Sequence, residues 1–246
     1  MVRRALLTAL LALAGCGSPY RTGWDGRRGY DGNGDYGYDL NAPREAVGYE
    51  VKARRSYPVP GPANDPWGPY IHEAAARFTL PETWIRGVMR QESGGRQVDA
   101  FGAPIVSVAG AMGLMQVMPR TYDMLRARYG LGPDPFEPRS NILAGTAYLK
   151  EMYDRFGAPG FLAAYNAGPD RVDAYMAGAS VLPDETVNYV AAIGPRIGMA
   201  GTFGPGSLAL AVPVAYAPGD PANAAYAGGD LTGSDYAAMQ GDVARR

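Results

Sequence analysis

A chain of 246 residues is long enough for one sizeable domain with flanks or for two small domains. Its 23 Lys and Arg against 24 Asp and Glu leave a formal charge of −1, so there is no basic excess of the kind that nucleic-acid binders carry, and its single cysteine excludes an intrachain disulfide. Glycine (34) and proline (21) exceed their average share and gather towards the two ends, which argues for one folded domain between long flanks.

Arg3 and Arg4 precede an apolar run from Ala5 to Ala14. About ten such residues suit the core of a signal peptide and fall short of the roughly 20 that span a bilayer. Leu13-Ala14-Gly15-Cys16 resembles the lipobox of bacterial lipoproteins, where the cysteine is acylated and becomes the new N-terminus. Residues 1–16 are therefore expected to be a lipoprotein signal peptide, with Cys16 as the lipidation site. The alternative is an ordinary signal peptide that happens to contain a cysteine. Gly17 and Ser18 follow in place of an aspartate, which by analogy with such lipoproteins points to a periplasmic protein held at the outer membrane.

Residues 17–63 are rich in Gly, Tyr, Asp and Arg and lack apolar periodicity, so they read as a flexible tether; a sugar-binding or partner-binding segment is the other reading. Asn64-Asp65-Pro66 then suits a first helical turn, and a helix should run to Phe78. His72, on that helix, is the only histidine; with no second His and no nearby Cys, neither a metal site nor a cofactor is expected. Thr79-Leu80-Pro81-Glu82 opens the next helix. On it Ile85, Val88, Met89 and Glu92 fall at i, i+3, i+4 and i+7, which places one carboxylate on an apolar stripe. Ser93-Gly94-Gly95 should end the helix there. In the last turn, near the negative end of the dipole and against apolar surface, Glu92 is expected to hold its proton to unusually high pH. Such an acid can protonate a leaving oxygen.

Residues 96–112 read as an irregular loop with room for a short hairpin. Further helices are expected from Pro119 to Gly130, from Ile142 to Phe156 with Asn141 as the cap, from Pro159 to Asn166, from Asp170 to Met176 and from Asp184 to Ile197. Together they indicate a mainly α domain over residues 64–199. Residues 200–246 return to low-complexity Ala, Gly, Pro, Tyr and Asp and read as a disordered tail.

Four segments in order carry a resemblance: Glu92-Ser93; Gly113-Leu114-Met115-Gln116 with Pro119; Ala164-Tyr165-Asn166-Ala167-Gly168; and Tyr189 within Glu185-Thr186-Val187-Asn188-Tyr189-Val190. This pattern resembles the SLT-type soluble lytic murein transglycosylases, relatives of goose-type lysozyme, over roughly residues 66–198. The loop between Glu92 and Gly113 is longer than usual for that family.

The resemblance implies a lysozyme-like helical fold and a peptidoglycan substrate. It makes Glu92 the catalytic residue, with Ser93, Gly113, Met115, Gln116, Tyr165, Asn166 and Tyr189 lining the sugar site. Met118, by contrast, reads as core. No second motif carboxylate is apparent, and Asp99, Asp184 and Glu185 have loop or helix-start roles available. The family solution is substrate assistance, with one Glu acting as acid and then as base to yield a 1,6-anhydromuramoyl product. Three functions follow for test: a lytic transglycosylase, a lysozyme-like hydrolase at the same site, and a non-catalytic peptidoglycan-binding lipoprotein. Some family members open the wall for secretion machinery, and the Tyr-rich flanks suit recruitment of such a partner, which the sequence does not identify.

Overall fold

The computed structural model describes residues 41–54 and 56–199. The signal peptide with Cys16, the expected tether up to residue 40 and the tail 200–246 lie outside the described residues. Within them the regular elements are helical, in the order α1 (Ala42–Glu50), α2 (Gly68–Phe78), α3 (Glu82–Ser93), α4 (Pro119–Tyr129), α5 (Pro138–Ala167), α6 (Pro169–Met176) and α7 (Asp184–Ile193), then a 3-10 turn at Gly194–Ile197. The expected mainly α architecture is what forms.

The core is organised on α5, which packs against α2, α4, α6 and α7. Ile142, Leu143, Ala147, Leu149 and Met152 are buried along it. Its path breaks at Gly157 (φ 63°) and Ala158, and Pro159 starts the second half, so the two helices expected on either side of Gly157 run on as one kinked element. The cap of α5 differs from expectation. The helix begins one turn before Asn141, and the Glu137 carboxylate accepts from the backbone N–H groups of Arg139 (3.2 Å) and Ser140 (2.6 Å). Glu137 followed by Pro138 supplies both the cap and a preset first turn, which frees Asn141 for another use.

Helix α2 also starts later than Asn64-Asp65-Pro66 suggests. Asp65 takes a forked contact with Arg86 (2.7 and 3.0 Å), which also reaches Glu82 at 3.0 Å, so this carboxylate ties the approach to α2 onto α3. Gly68, the first residue of α2, leaves room for that carboxylate: a Cβ there would lie 2.2 Å from Asp65 Oδ2. His72 is exposed and pairs with Glu82.

The largest departure is α1, which occupies part of the stretch expected to be tether. Ala42 and Ala46, four residues apart, bury its inner face. Tyr49 meets the Tyr122 ring edge-on at 6.3 Å and donates its hydroxyl to Asp123 at 2.5 Å, while Arg120 reaches Glu45 at 3.2 Å. Beyond the helix, Tyr57 donates to Asp134 at 2.7 Å. At the other end Gly110 (φ 89°) lies against the Ala42 carbonyl, 2.6 Å from where its own Cβ would stand. The tyrosines and charges that make this stretch look solvated are engaged with partners more than 60 residues away, and nothing local in the sequence shows that.

A charge at the buried face of α1 would have no partner. Ala46→Asp is expected to undock the helix and lower the melting temperature by about 4–8 °C, the shift that a loss of about 2 kcal/mol gives in a domain of this size. Thermal unfolding followed by circular dichroism checks it; an unchanged Tm would mean that α1 adds nothing to the fold.

Candidate active site

Helix α3 delivers Glu92. Ile85, Val88 and Met89 are fully buried, and the same helical stripe carries Glu92 to the inner face one turn later. Gly94 adopts the left-handed conformation (φ 66°) and stops the helix, and the Trp67 indole donates to the Gly95 carbonyl at 2.8 Å, pinning this end. Glu92 retains only part of its surface in solvent.

Across from it stands α7, whose Tyr189 is buried and donates its hydroxyl to Glu92 Oε1 at 2.6 Å. Burial lifts the Glu92 carboxyl from 4.5 to about 7; the Tyr189 hydrogen bond pulls the other way, and the negative charge of Glu185 adds to the rise. Glu185 lies one turn before Tyr189 on the same helix. From sequence, burial and the helix dipole account for the rise, and Glu185 has only a helix-start role. Its charge is felt at the acid. Tyr165, buried on α5, is also close enough for the Glu92 charge to raise its hydroxyl, whose largest push upward comes from burial.

The third component is the bend 112–117. Its ends are joined by paired backbone bonds between Met112 and Val117 (3.0 and 3.1 Å), and Gly113 N–H donates to Ile105 at 2.9 Å, which ties the bend to the preceding loop. That loop holds two small β-bridges, Val98 with Pro104 and Val106 with Met112, so the hairpin the sequence left room for is present in rudimentary form. Three side chains from outside grip the bend. Ser93 Oγ donates to the Leu114 carbonyl (2.7 Å), Tyr165 donates to the Met115 carbonyl (2.7 Å), and Asn141 accepts from Met115 N–H (2.7 Å).

These contacts sort the expected sugar-site residues. Ser93 is buried with its hydroxyl engaged by the protein, so it braces the bend. Met115 has a fully buried side chain packed on Gly145, where an added Cβ would lie 2.4 Å away; only its backbone serves the site. Gly113, expected to admit sugar or backbone, makes room for Asn141: its Cβ would lie 2.7 Å from the Asn141 amide nitrogen. Met118, read as core, is half-exposed. Tyr189 bonds Glu92, and Tyr165 lies near enough to feel its charge.

Gln116 is half-exposed at φ 48°, a conformation non-glycine residues adopt at a cost, with its amide donating to the Gly113 carbonyl at 2.8 Å. Asn166 is half-buried and accepts from Thr186 at 2.7 Å, which links α5 to α7. Two further residues take part, Thr186 and Asn141. Thr186 could have been found, since it shares a face with Tyr189 at i and i+3. Asn141 could not, because a polar residue at a helix start reads as a cap.

An apolar pocket lined by Phe156, Pro159, Ala163, Val172, Tyr175 and Leu182 lies between the second half of α5 and α6. None of the site residues borders it, and its walls lack the convergent polar groups that a sugar requires.

With the acid, the two tyrosines and the bend in place, the comparison with known proteins is direct: residues 69–187 match the family model described as the transglycosylase SLT domain. The chain carries a transglycosylase SLT domain. Among relatives, the soluble lytic murein transglycosylase of Escherichia coli (strain K12) is 35% identical over 104 residues, covering 39% of this chain and 15% of that protein. The membrane-bound lytic murein transglycosylase C of Histophilus somni (strain 2336) is 38% identical over 95 residues, covering 36% and 24%. In the crystal structure of the 70 kDa soluble lytic transglycosylase from Escherichia coli, the match is 25% identical with a TM-score of 0.44, over 54% of this chain and 24% of that one. The chain thus spans less than a quarter of the length of each of these proteins, and the likeness lies in the SLT domain.

The raised carboxyl of the SLT domain makes a stability prediction. Folding holds the Glu92 proton up to about 7 while the unfolded chain releases it near 4.5, so the native state loses stability as pH rises through that interval. Glu92→Gln removes the ionisation. It is expected to stabilise the protein by about 1–3 kcal/mol at about pH 8 and by much less below about pH 4.5, where both forms are neutral. Urea denaturation at the two pH values measures this; an equal effect at both would contradict a strained carboxylate.

Proposed function

We propose that this chain is a lytic transglycosylase that cleaves the β-1,4 bond between N-acetylmuramic acid and N-acetylglucosamine in peptidoglycan and leaves a 1,6-anhydromuramoyl end. The observation that carries the reading is the 2.6 Å contact between Tyr189 and a largely buried Glu92 whose carboxyl titrates at about 7. Near neutral pH both its forms are populated, as a group that acts first as acid and then as base requires. Protonated Glu92 gives its proton to the glycosidic oxygen as the bond to the muramoyl C1 breaks, and the bonding electrons leave with that oxygen. The muramoyl acetamide stabilises the cationic carbon. The Glu92 carboxylate then takes the proton of the C6 hydroxyl, whose oxygen closes on C1, and the acid is regenerated without water.

Tyr189 has two effects here. Its hydrogen bond steadies the carboxylate after proton donation, and it limits how far burial can raise the carboxyl. Gln116 and Asn166 offer amide groups suited to hydroxyl and N-acetyl groups, and their partly exposed positions support contact with sugar. Ser93, Gly113 and Met115 support the reading as shapers of the bend, not as sugar contacts.

The same proposal includes attachment to the membrane through a lipid on Cys16, on the periplasmic side and at the outer membrane. Its support is the apolar run ending in Leu13-Ala14-Gly15-Cys16 and the similarity to proteins named as membrane-bound. Among the described residues no helix is long and apolar enough to cross a membrane.

Two experiments follow. On purified sacculi the protein is expected to release anhydromuropeptides, with a rate that falls as pH rises above about 7, and Glu92→Gln should reduce release by at least about a thousandfold. Mass spectrometry decides the chemistry, since products heavier by one water would mean a hydrolase, and full activity in the variant would remove Glu92 from the mechanism. In fractionated cells, Cys16→Ser should move the protein out of the membrane pellet; an unchanged distribution would rule out the lipid anchor.

A further inference from the structure

Asn141, outside the four motifs, makes three side-chain hydrogen bonds. It is buried on the first turn of α5, and its amide nitrogen donates to the Met112 carbonyl at 2.9 Å and to the Pro135 carbonyl at 2.7 Å, while its oxygen accepts from Met115 N–H at 2.7 Å. Only a side-chain amide can do this at one position: a carboxylate cannot donate, a hydroxyl has a single proton, and an isosteric leucine has neither group. The fit extends to Gly113, whose missing Cβ leaves the space the amide occupies.

What these bonds shape is the one polar side chain that the bend presents. Leu114, Met115 and Val117 are buried, whereas Gln116 is half-exposed and held at positive φ. Without the amide, Met115 N–H and the Pro135 carbonyl lose their partner, Gly113 loses its packing surface, and the chain just before Gln116 is released to relax towards ordinary backbone angles.

We infer that Asn141 is a positioning residue for glycan binding, acting through the 112–115 backbone to hold Gln116 in the orientation that engages the sugar. The inference rests on the transglycosylase reading, in which Gln116 touches glycan.

A double-mutant cycle tests it. The full chain carrying Glu92→Gln, so that ligand is not consumed, is titrated by calorimetry with a soluble oligomer of alternating N-acetylglucosamine and N-acetylmuramic acid. Gln116→Ala and Asn141→Ala are each expected to weaken binding about tenfold, and the double variant to bind within about twofold of the weaker single. A merely structural loss would not depend on whether Gln116 is present. A double variant weakened about a hundredfold, or an Asn141→Ala variant that binds like its parent, overturns the inference. If the alanine variant does not fold, Asn141→Asp, which keeps the acceptor for Met115 and removes the donors, takes its place in the cycle; failure of both to fold reduces Asn141 to a structural residue and also overturns the inference. The two levels separate cleanly. A parent that does not bind, together with a wild type that does not cleave, defeats the transglycosylase reading and this inference with it, whereas a binding parent with additive singles defeats only the role of Asn141.

Discussion

The bend 112–117 sets a constraint that shapes the site: a run of buried backbone outside any helix needs partners for its polar groups. An unmet buried N–H or C=O costs about 1–3 kcal/mol, so the fold must bring partners to it. It does so with side chains from separate elements. Ser93 arrives at the end of α3, Asn141 at the start of α5, and Tyr165 near the end of α5. Ser93 follows the acid directly in sequence, and Tyr165 feels the Glu92 charge, so the demands of this bend also arrange the surroundings of Glu92.

A second consequence concerns the acid. Seating a carboxyl at the end of an apolar stripe is unfavourable when it is ionised, and a fold selected for stability alone would place glutamine or leucine there. The cost is limited by one donor, Tyr189, supplied by a helix nearly 100 residues away, while Glu185 on that helix acts in the opposite direction. Neutral pH therefore finds the group divided between its two forms. That division is the physical basis for assigning one residue two successive proton transfers.

Helix α1 shows how far composition can mislead. Its residues have the polarity of a solvated linker, yet Ala42 and Ala46 are buried, Glu45 and Tyr49 find partners on α4, and Tyr57 just beyond the helix pairs with Asp134 in the segment that follows α4. Since Ala42 of α1 also lies against Gly110, the stretch before the SLT domain touches the loop that leads into the bend.

The chain itself settled the helices from Gly68 to Ile193 in kind and order, the stripe that aims Glu92 inward, and the glycine that ends α3, because periodicity and left-handed caps are local properties readable over a few residues. It also singled out Tyr165 and Tyr189 through their motifs. Tertiary structure alone decided that Ser93, Gly113 and Met115 brace or pack the bend, that the Asn141 side chain bonds the bend in place of capping α5, and that residues 42–50 are folded. Each of those outcomes depends on a partner distant in the chain, and a side chain able to cap, contact sugar or brace the backbone looks the same in sequence until that partner is in place.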